Sequence, residues 1–253
     1  KLLKKHRTVV FLDFEGTQFT HEIIAIGAIK CKVDENGFII EKCDEGFKEY
    51  VQAKGGTGKY ITEMTSISDS FLEEHGVPVE VMLEKFKAYI HEDLKSISYV
   101  VFGSNDAKMI LETNKASRPR NEYIFKQIIP NIVDYLAFLS QYVRDENFNS
   151  YSLTNYLKLF EGTPVGVSHD PLNDAIDLMN LYDKVLKRMN RRTTGEKIEK
   201  IEVSPDNEVY MSGENCIIEK ATKTLIIGCK TSEIPDDGSV EIIGGHAFSG
   251  AAG

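Results

Sequence analysis

Three apolar runs lie within the first 51 residues of the chain. Residues 8–12 read TVVFL, a nearly continuous apolar run that is typical of a strand covered on both faces. Residues 22–33 and 38–51 flank the sequence DENG at 34–37, whose Asn-Gly pair suits the positive φ angles of a tight hairpin. The pattern therefore predicts three consecutive strands in an antiparallel meander.

The hydrophobic period then changes to that of helices. Residues 78–92 have helical spacing after a Pro, and residues 98–102 read as a short buried strand. The remaining predicted elements are a strand near 128–133, with Pro130 at an edge or bulge, and helices over 106–115, 135–143, 152–160 and 171–189. This order predicts an α/β fold, in which helices flank a mixed sheet made of the antiparallel meander and parallel strands.

Length and charge change this picture in two ways. A chain of 253 residues accommodates one sizeable α/β domain and a small second unit. We predict a domain over residues 1–190, a polar linker over 191–208 and a small β-rich segment over 209–253. The net charge of -9 argues against broad nonspecific coating of nucleic acid, although it leaves open an enzyme that grips a strand end.

Two carboxylates follow the first predicted strand. Asp13 and Glu15 are two residues apart, so their side chains point to the same face of the sheet. Two anions held close together in a partly dry environment repel each other, and protonation or a bound cation relieves that repulsion. Taken alone, this pair is weak evidence for a site, and it is more typical of a strand end that meets solvent.

Three more candidates lie at the ends of other predicted elements. Asp106 opens a helix directly after a strand, where its alternative role is helix capping. Asp174 lies one turn inside the last long helix beside its apolar stripe, and His169 precedes that helix, where a structural hydrogen bond is its alternative role. Four carboxylates and a histidine are what a two-metal phosphodiester hydrolase requires, and oxygen ligands favour Mg²⁺ or Mn²⁺.

Three motifs carry a family resemblance. FLDFEGT at residues 11–17, FGSNDAKMIL at 102–111 and HDPLNDA at 169–175 resemble, in order, the three exonuclease motifs of the DEDDh group. The segment YITEMTSIS at 60–68 resembles the loop between the first two motifs of these enzymes. Within the group, the sequence is most similar to the short RNA-trimming and related bacterial exonucleases. Phe102 departs from the Trp that many relatives carry before the Gly, with stacking bulk retained.

The resemblance implies a ribonuclease-H-like fold and a metal-dependent 3'-to-5' exonuclease that releases nucleoside 5'-monophosphates from the 3' end of single-stranded RNA or DNA. It also implies that His169 is the general base and that the two divalent cations, Mg²⁺ or Mn²⁺, are held by four ligands: Asp13, Glu15, Asp106 and Asp174. The expected substrate-binding residues are Phe14, Gly16, Thr17, Met64 and Thr65, and Phe19 is a further candidate for stacking on bases. We assign Asp170 to capping and Asp177 to the helix surface.

The last segment has a resemblance of its own. Residues 224–235 and 243–250, within the stretch 213–250, resemble a BspA-type leucine-rich repeat. Such repeats usually bind proteins, so this segment offers a possible binding site for a protein partner. The other expected partner is the 3' end of a nucleic-acid strand, and no membrane is expected to be a partner. The opening KLLKKHR has too short an apolar core for a secretory signal, so we expect a cytoplasmic location, while the tail keeps a surface or secreted location open.

Two other functions remain open from the residues alone. In one, the chain is a protein-binding repeat module carried on a nuclease-fold scaffold. In the other, the same sheet supports an endonuclease, which circular substrates would distinguish from an exonuclease.

Overall fold

The structure is a computed structural model that describes residue 3 and residues 6–193, 201–229, 231–245 and 247–248, with only the helical backbone at 189–193. The predicted linker and the end of the repeat-like segment therefore lie partly outside the described residues. The chain divides into two compact units, residues 1–187 and 188–253. Within the described part of the chain, each helix is too short or too polar to cross a lipid bilayer.

A six-stranded mixed sheet forms the centre of the first unit. Its strands are β1 (Thr8–Gly16), β2 (Ile23–Val33), β3 (Ile39–Lys42), β4 (Phe47–Tyr50), β5 (Ile97–Val101) and β6 (Ile132–Asp134). The order is β3-β2-β1-β5-β6, with β4 paired to another part of β2. Strands β1, β2, β3 and β4 pair antiparallel, whereas β1, β5 and β6 are parallel. The predicted α/β mixed sheet is confirmed.

Eight helices of the described residues accompany this sheet. They are α1 (Lys59–Thr65), α2 (Asp69–His75), α3 (Val79–Ile90), α4 (Asn105–Ser117), α5 (Tyr123–Ile128), α6 (Tyr135–Leu139), α7 (Leu153–Leu159) and α8 (Pro171–Thr193). The alternation of side chains along β1 divides the core into two layers. Val10 and Leu12 pack with α3 and α5, whereas Val9 and Phe11 pack with α6, α7 and α8.

Four predicted elements differ from the structure, and one of them is the helix predicted over 135–143, which ends at Leu139. The single strand predicted over 38–51 is two strands, because a turn at Gly46, whose φ is 106°, interrupts it. The segment 60–68, predicted as a loop, contains α1 and leads into α2. Residues 128–131 end a helix and form a 3-10 turn that includes Pro130, so the strand begins only at Ile132. In each case a short element lacks the length that a periodic pattern needs to be recognised.

The second unit is built on a four-stranded sheet. Its strands are β7 (Tyr210–Gly213), β8 (Cys216–Glu219), β9 (Thr224–Gly228) and β10 (Ile242–Ile243), in the order β10-β9-β8-β7. β10 pairs parallel to β9, and the other pairs are antiparallel. A small apolar cluster of Cys216, Ile218, Leu225 and Ala247 lies under this sheet.

Candidate active site

The end of β1 positions the first two carboxylates. Asp13 and Glu15 continue the alternation of Val9 and Phe11, so they lie on the face of the sheet that α8 covers. Glu15 is 7% exposed. The strand pairing becomes irregular between Glu15 and Gly16, where β1 ends. Asp13 and Glu15 therefore stand at the edge where the apolar layer between sheet and helix stops.

Asp106 reaches the same edge from α4. It lies in the first turn of the helix, directly after the loop that leaves β5, and its side chain is 5% exposed. The Phe14 backbone N–H donates to Asp106 Oδ1 at 3.2 Å, which ties the helix to β1 between its two carboxylates. This hydrogen bond crosses 92 residues of sequence and holds Asp106 beside Asp13 and Glu15.

The start of α8 and the residue before its cap supply the third group of residues at this edge of the sheet: His169, Asp170 and Asp174. Asp170 Oδ1 accepts from the N–H groups of Leu172, at 3.1 Å, and Asn173, at 3.3 Å, which confirms its predicted capping role. His169 has a left-handed φ of 65°, and its N–H donates to Asp174 Oδ2 at 2.9 Å. The His169 ring lies across from β1, with Nδ1 3.8 Å from Glu15 Oε1.

A glycine allows α8 to approach the sheet this closely. Gly27 on β2 lies opposite Asp13 in the strand register. A Cβ at Gly27 would lie 2.0 Å from the carbonyl carbon of Pro171, the first residue of α8. Glycine in a strand often marks a place where another backbone segment packs against it. The absent side chain therefore lets the start of α8 sit directly on the strand next to Asp13.

One cleft contains all five predicted catalytic residues. It has a volume of about 350 Å³, and Asp13, Glu15, Asp106, His169 and Asp174 all line it. Residues from β1, from α4, from the segment before α8 and from the first turn of α8 are thus brought together, although up to 161 positions separate them in the sequence. This is the arrangement that the motifs led us to expect.

Burial and mutual repulsion dominate the electrostatics of the cleft. Burial raises the pKa of Asp13 well above its ordinary value, and the carboxylates of Asp106, Glu15 and Asp174 raise it further. Burial, followed by repulsion from Asp174 and Asp106, raises the pKa of Glu15 to about 8. The pKa of Asp106 rises to about 7, mainly through burial, although the hydrogen bond from Phe14 opposes the change. Near neutral pH the ionised cluster is costly unless a cation compensates it.

The donor set fits a hard divalent cation. One ligand atom from each of Glu15, His169 and Asp174 lies within 4.8 Å of the others. Burial raises the pKa of Asp174, while the His169 N–H and the nearby His169 ring lower it. Carboxylate oxygens that repel one another around a cleft are suitable ligands for Mg²⁺ or Mn²⁺. This cluster differs from the predicted ligand set because it includes the His169 nitrogen and lacks Asp13 and Asp106.

The predicted substrate-binding residues lie in different surroundings. Phe14 is 5% exposed and packs in the core on the α3 side, so its ring is not a free stacking surface. Gly16 ends β1 against Met109, and Thr17 is buried, with its hydroxyl accepting from the Glu22 N–H at 3.0 Å. Of these three residues, Phe14 lines the cleft, whereas Gly16 and Thr17 are not among its lining residues.

The other predicted contacts are divided between two recesses. Met64 and Thr65 line a recess of about 170 Å³ that shares His169 with the main cleft. Phe19 is 76% exposed but lines a separate recess with His21, Glu112 and Lys115. Met64 and Thr65 are therefore adjacent to the five-residue cleft, whereas Phe19 lies in another recess.

One assignment from the sequence is wrong. Asp177 does not lie on the helix surface, because its side chain is only 2% exposed. Its Oδ1 accepts from the Val165 N–H at 2.8 Å, and burial raises its pKa. Asp177 faces inward because it lies about one turn after Asp174 on α8, and the segment leading to His169 folds over that face. It therefore holds the loop that carries the histidine.

Several residues that line the cleft were not predicted as site residues: Asn105, Met109, Ser152, Leu153, Thr154 and Ser168. Asn105 and Met109 belong to the second motif, so their closeness to Asp106 in the sequence could have identified them as site residues. Phe102, noted for its departure from Trp, lines the cleft and makes an edge contact with Tyr156. The other residues come from chain segments whose place beside the cleft depends on tertiary packing.

The fold of the first unit is shared with solved structures of nucleases. Solved structures of similar fold include the nuclease domain of 3'hExo, a DEDDh family member, bound to rAMP, with a TM-score of 0.58 and 17% identity over 74% of this chain and 94% of that one. Cell-death related nuclease 4 (CRN-4) matches with a TM-score of 0.55 and 16% identity over 73% and 65% of the respective chains. A 3'-exonuclease that recognises the 3' end of a histone mRNA stem-loop matches with a TM-score of 0.54 and 16% identity over 73% and 84%.

Sequence comparison identifies the family. The family model described as Exonuclease (RNase_T) matches residues 10–182, which covers more than half of the chain. The chain therefore belongs to this exonuclease family. A search of the curated proteins returned no match.

Proposed function

We propose that this protein is a metal-dependent 3'-to-5' exonuclease that removes nucleoside 5'-monophosphates from the 3' end of single-stranded RNA or DNA. The observation that carries the proposal is the convergence of four acidic side chains and His169 on one cleft, in a chain of the exonuclease family. The fold shared with a nuclease domain bound to rAMP, and with an exonuclease that recognises an RNA 3' end, supports the proposed direction.

The carboxylates hold the metals in this proposal. Asp13, Glu15, Asp106 and Asp174 are the proposed ligands of two divalent cations, Mg²⁺ or Mn²⁺, and the buried like charges favour such binding. When bound, a pair of such ions lowers the pKa of the attacking water and stabilises charge on the leaving oxygen.

His169 is the proposed general base. Its ring is nearly half exposed at the mouth of the cleft, so a water molecule can reach it. In this proposal an imidazole nitrogen of His169 accepts the proton from the attacking water.

Digestion of 5'-labelled oligonucleotides tests the activity and its direction. With Mg²⁺ or Mn²⁺, we expect a ladder that shortens from the 3' end, and a blocked 3' terminus or a circular strand should resist digestion. Matched RNA and DNA strands would show which is preferred. Cleavage of circular strands would instead identify an endonuclease, and intact labelled strands in both metals would remove the proposed activity.

Asp13→Asn is the informative variant for this assay. It removes one charge from the cleft with little change of shape, so we expect a loss of ~10³-fold or more in turnover if Asp13 holds a metal. Asp183→Asn is the matched control, because Asp183 lies on α8 outside the cleft and forms an ion pair with Lys187 one turn away, at 2.6 Å. Equal activity of the two variants would contradict the assignment of Asp13.

The repeat-like segment stays a prediction in this scheme. A protein-binding role for residues 209–253 would be additional to the nuclease site. The proposed catalytic groups all belong to the first unit.

A further inference from the structure

An ion pair outside the five-residue cluster joins the sheet to the segment that carries His169. Lys48 Nζ on β4 lies 2.5 Å from Asp170 Oδ2. The two side chains are 26% and 31% exposed, so the pair is partly shielded from water. Because Asp170 directly follows His169, this contact is next to the proposed general base.

The strand register explains why Lys48 reaches this position. Asp13 on β1 pairs with Gly27 on β2, and Gly27 pairs with Lys48 on β4. Side chains of directly opposed residues project from the same face of a sheet. The three residues therefore form one row beneath α8, and the first residue of that helix packs against Gly27 in the middle of the row. The helix start is held between Asp13 on one side and Lys48 on the other.

Asp170 connects the two structures through its two oxygens. Oδ1 accepts from the first free N–H groups of α8, whereas Oδ2 accepts from Lys48. On one side of Asp170, His169 is held by its N–H bond to Asp174. A displacement of Asp170 would therefore move His169 and Asp174 together, relative to the carboxylates on β1.

We propose that Lys48 is a positioning residue for this active site and acts through Asp170. Its ion pair fixes the start of α8 on the sheet, which sets the distance of His169 and Asp174 from Asp13 and Glu15. This inference rests on the proposed nuclease function. Lys48 lines the smaller recess beside His169 and does not line the cleft with the five residues.

Four variants and one control test the proposal in the full chain. Lys48→Met removes the charge, Lys48→Arg retains it, and Asp170→Asn keeps an acceptor for the helix cap while losing the ion pair. The fourth variant combines Lys48→Met with Asp170→Asn. The control is Lys85→Met, because Lys85 makes an ion pair of the same 2.5 Å length with Glu49, the neighbour of Lys48 on β4. Alternate strand residues face opposite sides, so that pair lies on the other face of the sheet.

Two measurements are made on each variant. Hydrogen exchange of the peptide covering residues 165–174 reports the order of the segment without any need for activity. Steady-state digestion of a labelled oligonucleotide gives kcat and KM separately. In Lys48→Met and Asp170→Asn we expect faster exchange and a loss of about tenfold in kcat, with KM within about twofold, since misplacement of a catalytic group acts on the chemical step.

The pattern across the set decides the outcome. Lys48→Arg should keep the exchange rate and kcat close to those of the wild type, and Lys85→Met should change neither quantity. The double variant should lose no more kcat than either single variant. Unchanged exchange in Lys48→Met would overturn the proposal, as would full kcat in Asp170→Asn beside a reduced kcat in Lys48→Met. An inactive wild type would remove the proposed nuclease function, while the exchange data would still decide whether Lys48 orders the segment.

Discussion

Replacing Asp106 by Asn should stabilise the metal-free protein while it abolishes metal-dependent activity. Asp106 is 5% exposed, and its pKa is raised from 3.8 to about 7. The folded protein therefore holds a proton on Asp106 that the unfolded chain releases between these two pKa values. Stability falls as the pH rises through this window and is constant above it. Asn removes this dependence and can still accept the Phe14 N–H through its Oδ1.

The size of the effect follows from the pKa difference. At pH 8 the full difference of about 3, at about 1.36 kcal/mol for each pKa unit, means that ionised Asp106 costs the fold up to about 4 kcal/mol. At pH 5 the folded protein keeps Asp106 neutral, and the cost is only about 1 to 2 kcal/mol, because the unfolded chain is largely ionised. The gain from Asp106→Asn should therefore grow by about 2 to 3 kcal/mol from pH 5 to pH 8.

Urea unfolding in EDTA at pH 5, 6.5 and 8 measures this difference. Since the chain has no tryptophan, circular dichroism is the suitable signal. With Mn²⁺ added at pH 8 the order should reverse, because the wild type gains binding energy that the variant lacks. Asp183→Asn removes an i,i+4 ion pair with Lys187, whose side chain is exposed, and should change stability by less than about 0.5 kcal/mol at every pH. A variant less stable than wild type at pH 8 in EDTA, or a gain independent of pH, would refute the reasoning.

Two further changes test the histidine and the glycine of the site. Asn at position 169 tolerates the left-handed φ of 65°. His169→Asn should lower kcat by about 10² to 10⁴ while the Mn²⁺ affinity, measured by calorimetry, is retained. A large loss of that affinity would instead identify His169 as a metal ligand. Gly27→Ala should destabilise the protein by at least about 1 to 3 kcal/mol in urea and lower kcat, because its Cβ would meet the Pro171 backbone at 2.0 Å. Gly245→Ala, with open space around its Cβ, is the control, and equal stability of the two glycine variants would contradict the close approach of α8.

Local patterns explain which parts of the fold were predictable. A long, regular hydrophobic pattern made three elements recognisable from the sequence: the buried strand at 8–12, the helix over 78–92 and the long helix that starts at Pro171. The capping role of Asp170 could also be predicted, because a cap is decided by the neighbouring residues. The short helices α1 and α2 and the division of 38–51 into two strands could not, since each element spans only one or two turns or four residues.

By itself, the sequence determined the family motifs, the mixed α/β sheet and the five residues that the structure brings into one cleft. Only the tertiary structure decided that Asp177 is buried, that Phe14 packs in the core and that Lys48 binds Asp170. The physical reason is the sequence separation over which each kind of interaction acts. Periodicity and caps act over a few residues, whereas the Lys48 to Asp170 contact spans 122 residues and depends on strand register and on the close approach of α8 at Gly27.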